Sequence, residues 1–158
     1  MRRTLRVYVD TSVFGGTQDE EFRDASTRFF EQVKAGRYEI LVSRVTLDEL
    51  TGAPEAVHQL IAQLPEGSLV RLGPDTLHEA RELSRAYLEA AVLGRSSEAD
   101  ASHVATATVA RADLLLSWNF RHIVNYQRIT QFNAVNALNG YSQIEIRSPL
   151  EVVYGDED

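Results

Sequence analysis

The sequence contains no cysteine, so disulfides and thiolate metal sites are excluded outright. Proline is scarce, four residues in all, and each falls between apolar segments rather than inside one. No apolar run approaches the ~18 residues needed to cross a bilayer, and the opening "MRRTLRVYVD" lacks the apolar region of a signal peptide. No membrane association is therefore expected, and the absence of cysteine fits a reducing, cytoplasmic setting. An excess of basic charge is missing too: 16 Lys and Arg against 23 Asp and Glu give a net charge of −7. That argues against a protein that coats nucleic acid through a basic face. It leaves room for an enzyme that holds nucleic acid through metal ions and a few local arginines.

What is present is an alternation of strand and helix patterns with no internal repeat and no dividing linker. One domain is expected over residues 1–153, followed by an acidic tail over 154–158, "YGDED". "LRVYVD" reads as a β-branched strand, and "DEEFRDASTRFFEQVKAG" as a helix with Phe22, Ala25, Phe29 and Val33 on one stripe and Gly36 as its stop. "YEILVS" and "SLVRL" follow as strands, with "RVTLDELTG" and "PEAVHQLIAQL" as helices between them. "DTLHEARELSRAYLEAAVLG" is a long amphipathic helix, and "SSEADASHVATATVARA" is a helix of small residues suited to close packing. "DLLLS" is a strand buried on both faces, then "ITQFNAVNALNG" a helix and "SQIEIRS" a last strand. This order predicts a three-layer α/β/α fold around a central, mainly parallel sheet, with ligands at the C-terminal ends of the strands.

Polar residues gather where that rule puts ligands. Asp10 ends the first strand, Glu49 lies early in the helix after the second, and Ser117 and Asn119 follow "LLLS". Asp10, Glu49 and Asn119 therefore share one sheet edge by topology. Asp100 opens the small-residue helix, and topology alone does not bring it there. Each acid also has a structural alternative. Asp10 can close an Asx-turn or cap the next helix, while Thr46-x-x-Glu49 and Ser97-x-x-Asp100 both match a capping box. Taken together, three carboxylates and an amide converging on one edge would repel without a cation. Oxygen ligands of this kind suit Mg²⁺ or Mn²⁺, one or two ions that would flank a phosphodiester.

The stretches "VYVDTSVFGG", "LVSRVTLDEL", "EADASHVATATVARADLLLSWNFRHI" and "IEIRSPLEVV" resemble, in this order, the PIN-domain family of metal-dependent ribonucleases, including VapC-type toxins. The resemblance implies that Asp10, Glu49 and Asp100 are the catalytic, metal-binding acids, with Asn119 as a fourth ligand. It implies supporting hydrogen bonds from Thr11, Ser12 and Ser117. Many relatives carry an acid where Asn119 stands. The expected substrate is RNA, with a cognate antitoxin and a homodimer as implied partners.

The remaining residues have plainer expectations. Arg121 and His122 lie where a phosphate backbone would pass, or in a solvated loop. His103, one turn after Asp100, is expected to be packed or solvated; Trp118, Phe22, Phe29 and Phe30 are expected in the core, and Asp113 at a helix end. The two glycines after Ser12 are expected to turn the chain sharply away from Asp10. Two other functions compete with the ribonuclease. A PIN-like module that binds RNA or protein without cutting is motivated by Asn119 and the net charge. A phosphatase with Asp10 as nucleophile is weaker, because Ser12 stands where a second acid is wanted.

Overall fold

Residues 3–154 are described by a computed structural model. Five short apolar segments build one sheet: β1 (Leu5–Val9), β2 (Tyr38–Val42), β3 (Leu69–Arg71), β4 (Leu114–Leu116) and β5 (Ile146–Arg147). Their order is β3-β2-β1-β4-β5 and every pairing is parallel, with Val7 opposite Ile40 and Leu114. Chain progression reverses between β1 and β4, and the crevice beyond their C-terminal ends is where such sheets bind ligands.

Strand alternation feeds two cores. Val7, Val9, Ile40, Val42, Leu114 and Leu116 face one layer, formed by α1 (Thr11–Gly16), α2 (Arg23–Lys34), α3 (Arg44–Leu50) and α4 (Glu55–Ala62). Tyr8, Leu41, Leu115 and Ile146 face the other, formed by α5 (Pro74–Glu89), α6 (Glu98–Val109) and α7 (Tyr126–Leu138). Both sides of β4 are covered, which explains its unbroken leucines. The stripe of α2 is buried as expected, and Gly36 takes a positive φ of 85° just beyond it. Helix α6 is buried over most of its length, and its small residues let it lie close to sheet and neighbour. Its interior threonines, 106 and 108, return their hydroxyls to the carbonyls of Ser102 and Val104, so neither is left unsatisfied.

Four local readings are corrected. The glycines after Ser12 do not turn the chain away, because Thr11–Gly16 forms a helix. Gly16 serves instead for close approach, since a Cβ there would lie 2.5 Å from Ser26 Oγ. The cap of α3 is Ser43, whose Oγ accepts from the Thr46 N–H, so Thr46 and Glu49 form no capping box. Ser97 makes no capping bond to α6 either. Asp113 lies at the other end of the sheet, where its oxygens accept from the Arg6 N–H and the Arg3 guanidinium. Of the acidic tail, Tyr154 packs beside Arg28 and Asp24, and residues 155–158 lie outside the described residues.

Candidate active site

Asp10 occupies the N-cap position of α1, yet its carboxylate accepts no backbone N–H of that helix. Oδ2 accepts from Ser117 Oγ at 2.7 Å and from Ser12 Oγ at 2.8 Å. Each of these hydroxyls also accepts a backbone N–H from the chain after β4: Trp118 to Ser12 and Asn119 to Ser117, both at 2.9 Å. Each hydroxyl thus takes one hydrogen from β4's exit and gives its own to Asp10. The Asp10 N–H donates to the Leu116 carbonyl at 2.9 Å, so the ends of β1 and β4 are tied together. Asp10 is buried with Oδ1 free of these hydroxyls and 3.5 Å from His103 Nε2.

Glu49 reaches the same place from α3. Its Oε1 accepts from Thr11 Oγ1 at 2.8 Å and pairs with His103 Nε2 at 2.7 Å. The Glu49 side chain is 39% exposed, so solvent reaches it while its partner is fully enclosed. The other ring nitrogen of His103, Nδ1, lies 2.7 Å from the Tyr8 hydroxyl, which lies 2.8 Å from Ser43 Oγ. A buried polar chain therefore runs from the cap of α3 through Tyr8 and His103 to Glu49. Burial opposes a charge on His103, but the Tyr8 oxygen, the Glu49 hydrogen bond and the Asp10 charge outweigh it, and the imidazole is pushed up to about 10. The same hydrogen bond from His103 holds Glu49 below the usual carboxylate range, against an opposing push from burial. The ring charge and the Thr11 hydroxyl add to the lowering.

Asp100 joins through Ser117 and Asn119. Its Oδ1 accepts from Asn119 Nδ2 at 3.2 Å, and its Oδ2 lies 3.0 Å from His122 Nδ1. The Asn119 amide is oriented by the His122 N–H, which donates to Oδ1 at 2.9 Å and leaves Nδ2 to face Asp100. His122 is thus turned to Asp100, while Arg121 beside it is exposed. Trp118 is buried, donates to Ser26 Oγ at 2.8 Å and stacks on Phe22 at 4.2 Å. Phe29 and Phe30 are core.

All the site residues expected from sequence except Arg121 are linked by these bonds, directly or through one neighbour. His103 and Tyr8 are the additions. One ligand atom from each of Asp10, Glu49 and His103 lies within 4.8 Å of the other two, close enough to share one cation. The donor set fits a divalent ion once His103 has lost its proton, and it offers nitrogen as well as oxygen, which imidazole-tolerant Mn²⁺ accepts more readily than Mg²⁺. A signal for Tyr8 was present: a phenol in a buried strand needs a polar partner.

An all-parallel five-stranded sheet between two helical layers makes this a three-layer α/β/α protein, with its carboxylates gathered at the switch point. Its family follows from comparison: the PIN domain model matches residues 7–123, and the chain belongs to the PIN-domain family, a family of nucleases. None of the curated proteins matches the sequence. Among solved structures, the chain is similar to VapBC2 from Rickettsia felis, solved with a DNA fragment from their promoter, at 13% identity and a TM-score of 0.55, covering 91% of this chain and 98% of that one. It is also similar to FitAcB from Neisseria gonorrhoeae, at 13% identity and a TM-score of 0.57, covering 92% and 99%. A structure of FitAB bound to an IR36 DNA fragment gives 13% identity and 0.54, covering 90% and 94%. At such identity the likeness concerns the fold. Among the described residues no helix is long and apolar enough to cross a membrane.

Proposed function

We propose that this protein is a divalent-metal-dependent endoribonuclease that hydrolyses RNA phosphodiester bonds at the Asp10 cluster. The observation that carries the reading is the approach of Asp10, Glu49 and His103 to within ligand distance at the sheet's switch point. Asp10 and Glu49 would hold a Mn²⁺ or Mg²⁺ ion, with His103 as a third donor and Asp100 joined to them through Asn119 and Ser117. When bound, such an ion makes a coordinated water acidic and stabilises charge on phosphate oxygens.

The chain's own residues have separate tasks. Ser12 and Ser117 fix Asp10 by binding one oxygen and leaving the other for the ligand. Thr11 and His103 orient Glu49, whose exposure lets it take a proton from a water that attacks phosphorus, while the bond to the leaving ribose oxygen breaks and that oxygen takes a proton from solvent. Asn119 and His122 aim Asp100. Arg121 is left to contact phosphate.

The test is cleavage of an RNA panel with Mn²⁺ or Mg²⁺, alongside Asp10→Asn and Asp100→Asn. Losses of at least about 100-fold are expected from each. Activity that survives both substitutions would overturn the assignment. Asn119, a donor to Asp100 rather than an acid, supports the second reading, a module that binds RNA or protein without cutting. Calorimetry with Mn²⁺ separates the two, because absence of metal binding favours the module. We further propose an antitoxin partner with a basic segment and a homodimer, supported by the similarity to VapBC2 and FitAB; light scattering with and without the protein encoded beside this gene tests both.

A further inference from the structure

We propose that the groove between α3, α5 and α6 carries the phosphate backbone of single-stranded RNA to the Asp10 cluster, an inference that rests on the ribonuclease reading. The groove has a volume of about 810 Å³ and is lined by Arg81 and Arg85 of α5 and by Arg95 at the entry to α6. All three guanidiniums belong to exposed residues, and none is paired with a carboxylate among the described residues. Glu89 and Glu98 also line the groove, without forming ion pairs there. In a chain of net charge −7, three unpaired arginines around one groove, against Glu89 and Glu98, are a local reversal of sign.

Arg81 and Arg85 are one helical turn apart, a like-charge spacing that weakens an isolated helix slightly and is relieved by an anion lying across both. Their separation of about 5–6 Å suits neighbouring phosphates of one strand. The groove also adjoins the site. Ala99 and Ser102 of α6 line it, while Asp100 and His103 of the same helix face the cluster. Consecutive residues of a helix differ by about 100° around its axis, so the two faces are neighbours. Among the described residues no aromatic side chain lines the groove, which offers charge without a stacking surface. That is the chemistry of a sequence-independent grip on backbone.

The experiment measures binding of a short labelled single-stranded RNA by anisotropy over a range of salt concentrations. It uses the full chain carrying Asp10→Asn, with Mn²⁺ present, so that binding is read without cleavage. Adding Arg81→Gln, Arg85→Gln and Arg95→Gln should weaken binding about tenfold or more. The slope of log affinity against log salt should fall by about 2, at about 0.7 per lost phosphate contact on a single strand. Each single substitution should lower it by about 0.7, which keeps the test open if the triple variant folds poorly. A control with Arg23→Gln, Arg28→Gln and Arg37→Gln, around α2, carries the same charge change and should leave the slope in place.

An unchanged slope in the groove variants overturns the proposal, as does an equal fall in the control. Labelled polyglutamate is titrated in the same way, and its loss from the groove variants with RNA binding intact also overturns the proposal, in favour of an acidic protein partner. Failure of the ribonuclease reading is distinct, because it shows as absence of Mn²⁺-dependent cleavage by the unmodified chain.

Discussion

Replacing Gly16 by alanine tests how the end of α1 is locked to the site. A Cβ at Gly15 would meet nothing within 4 Å, whereas one at Gly16 would lie 2.5 Å from Ser26 Oγ, 2.8 Å from Trp118 Nε1 and 3.1 Å from Trp118 Cδ1. The indole has little freedom to yield, because it donates to Ser26 at 2.8 Å, stacks on Phe22 at 4.2 Å and is buried. Alanine gains at most about 1 kcal/mol of helix propensity over glycine. Overpacking costs about 1–3 kcal/mol and a weakened Trp118–Ser26 bond about 1 kcal/mol more. Gly16→Ala should therefore destabilise the protein by about 1–3 kcal/mol, while Gly15→Ala should be neutral or slightly stabilising.

Trp118 is the single tryptophan, so intrinsic fluorescence reports directly on the perturbed ring. With a urea slope of about 2 kcal/mol/M, the unfolding midpoint of Gly16→Ala should fall by about 0.5–1.5 M. Its native emission should shift to the red as the indole loses its packing. The displacement reaches the site as well, since the Trp118 N–H donates to Ser12 Oγ and Ser12 to Asp10. Mn²⁺ affinity should fall with stability. A Gly16→Ala protein with the midpoint and emission of Gly15→Ala would refute the argument.

The remaining predictions concern the cluster itself. In the metal-free protein, His103, raised from 6.5 to about 10, adds stability that is complete below about pH 6.5 and lost as pH climbs toward 10. Glu49, lowered from 4.5, adds stability complete above that value and lost as pH falls below it. The gap in melting temperature between the wild-type chain and Glu49→Gln should thus narrow on raising pH from about 6.5 to 9 in EDTA; a constant gap would contradict the pairing. Ser117→Ala removes one hydroxyl from Asp10 and the acceptor of the Asn119 N–H. Calorimetry should show Mn²⁺ affinity about 10-fold lower or worse, with about 1.5–3 kcal/mol of stability lost in urea, and unchanged affinity would count against it. Asn119→Asp places a carboxylate where an amide now donates to Asp100 at 3.2 Å. Metal-free stability should fall while Mn²⁺ affinity rises about tenfold, or 1.4 kcal/mol, and a fall in affinity would refute the placement.

The sheet was legible in the sequence because its signals are local and mutually consistent. "LRVYV" and "LLL" carry the strand pattern, and strand–helix alternation leaves few topologies open. The capping-box patterns at Thr46 and Ser97 are not realised, for an equally local reason. A residue pattern shows what bonds a segment is able to make, and Ser43 had already capped α3 where β2 ends. Helix α1 was hidden because its two glycines read as turn-formers, whereas Gly16 answers to Trp118, 102 positions later. His103 is packed, as expected, and it also holds Glu49. Its partners Tyr8 and Glu49 lie 95 and 54 residues away, beyond any pattern in a single stretch.

Those distant partners explain how three acids share one sheet edge before any cation arrives. Glu49 is balanced by His103, and Asp10 lies within reach of the same ring. Asp100 is balanced by the Asn119 amide and by His122. Ser12 and Ser117 spread the remaining charge of Asp10 over two hydroxyl dipoles. Each carboxylate therefore has an internal donor, and the fold does not depend on metal to hold the acids together. An incoming cation must displace the His103 proton from between Glu49 and Asp10, so its affinity should rise with pH over the range in which that proton leaves. Asn119 works in the same direction: an amide holds Asp100 without a cation, where an acid would need one. The amide at position 119 thus helps make the metal-free protein a folded state in its own right.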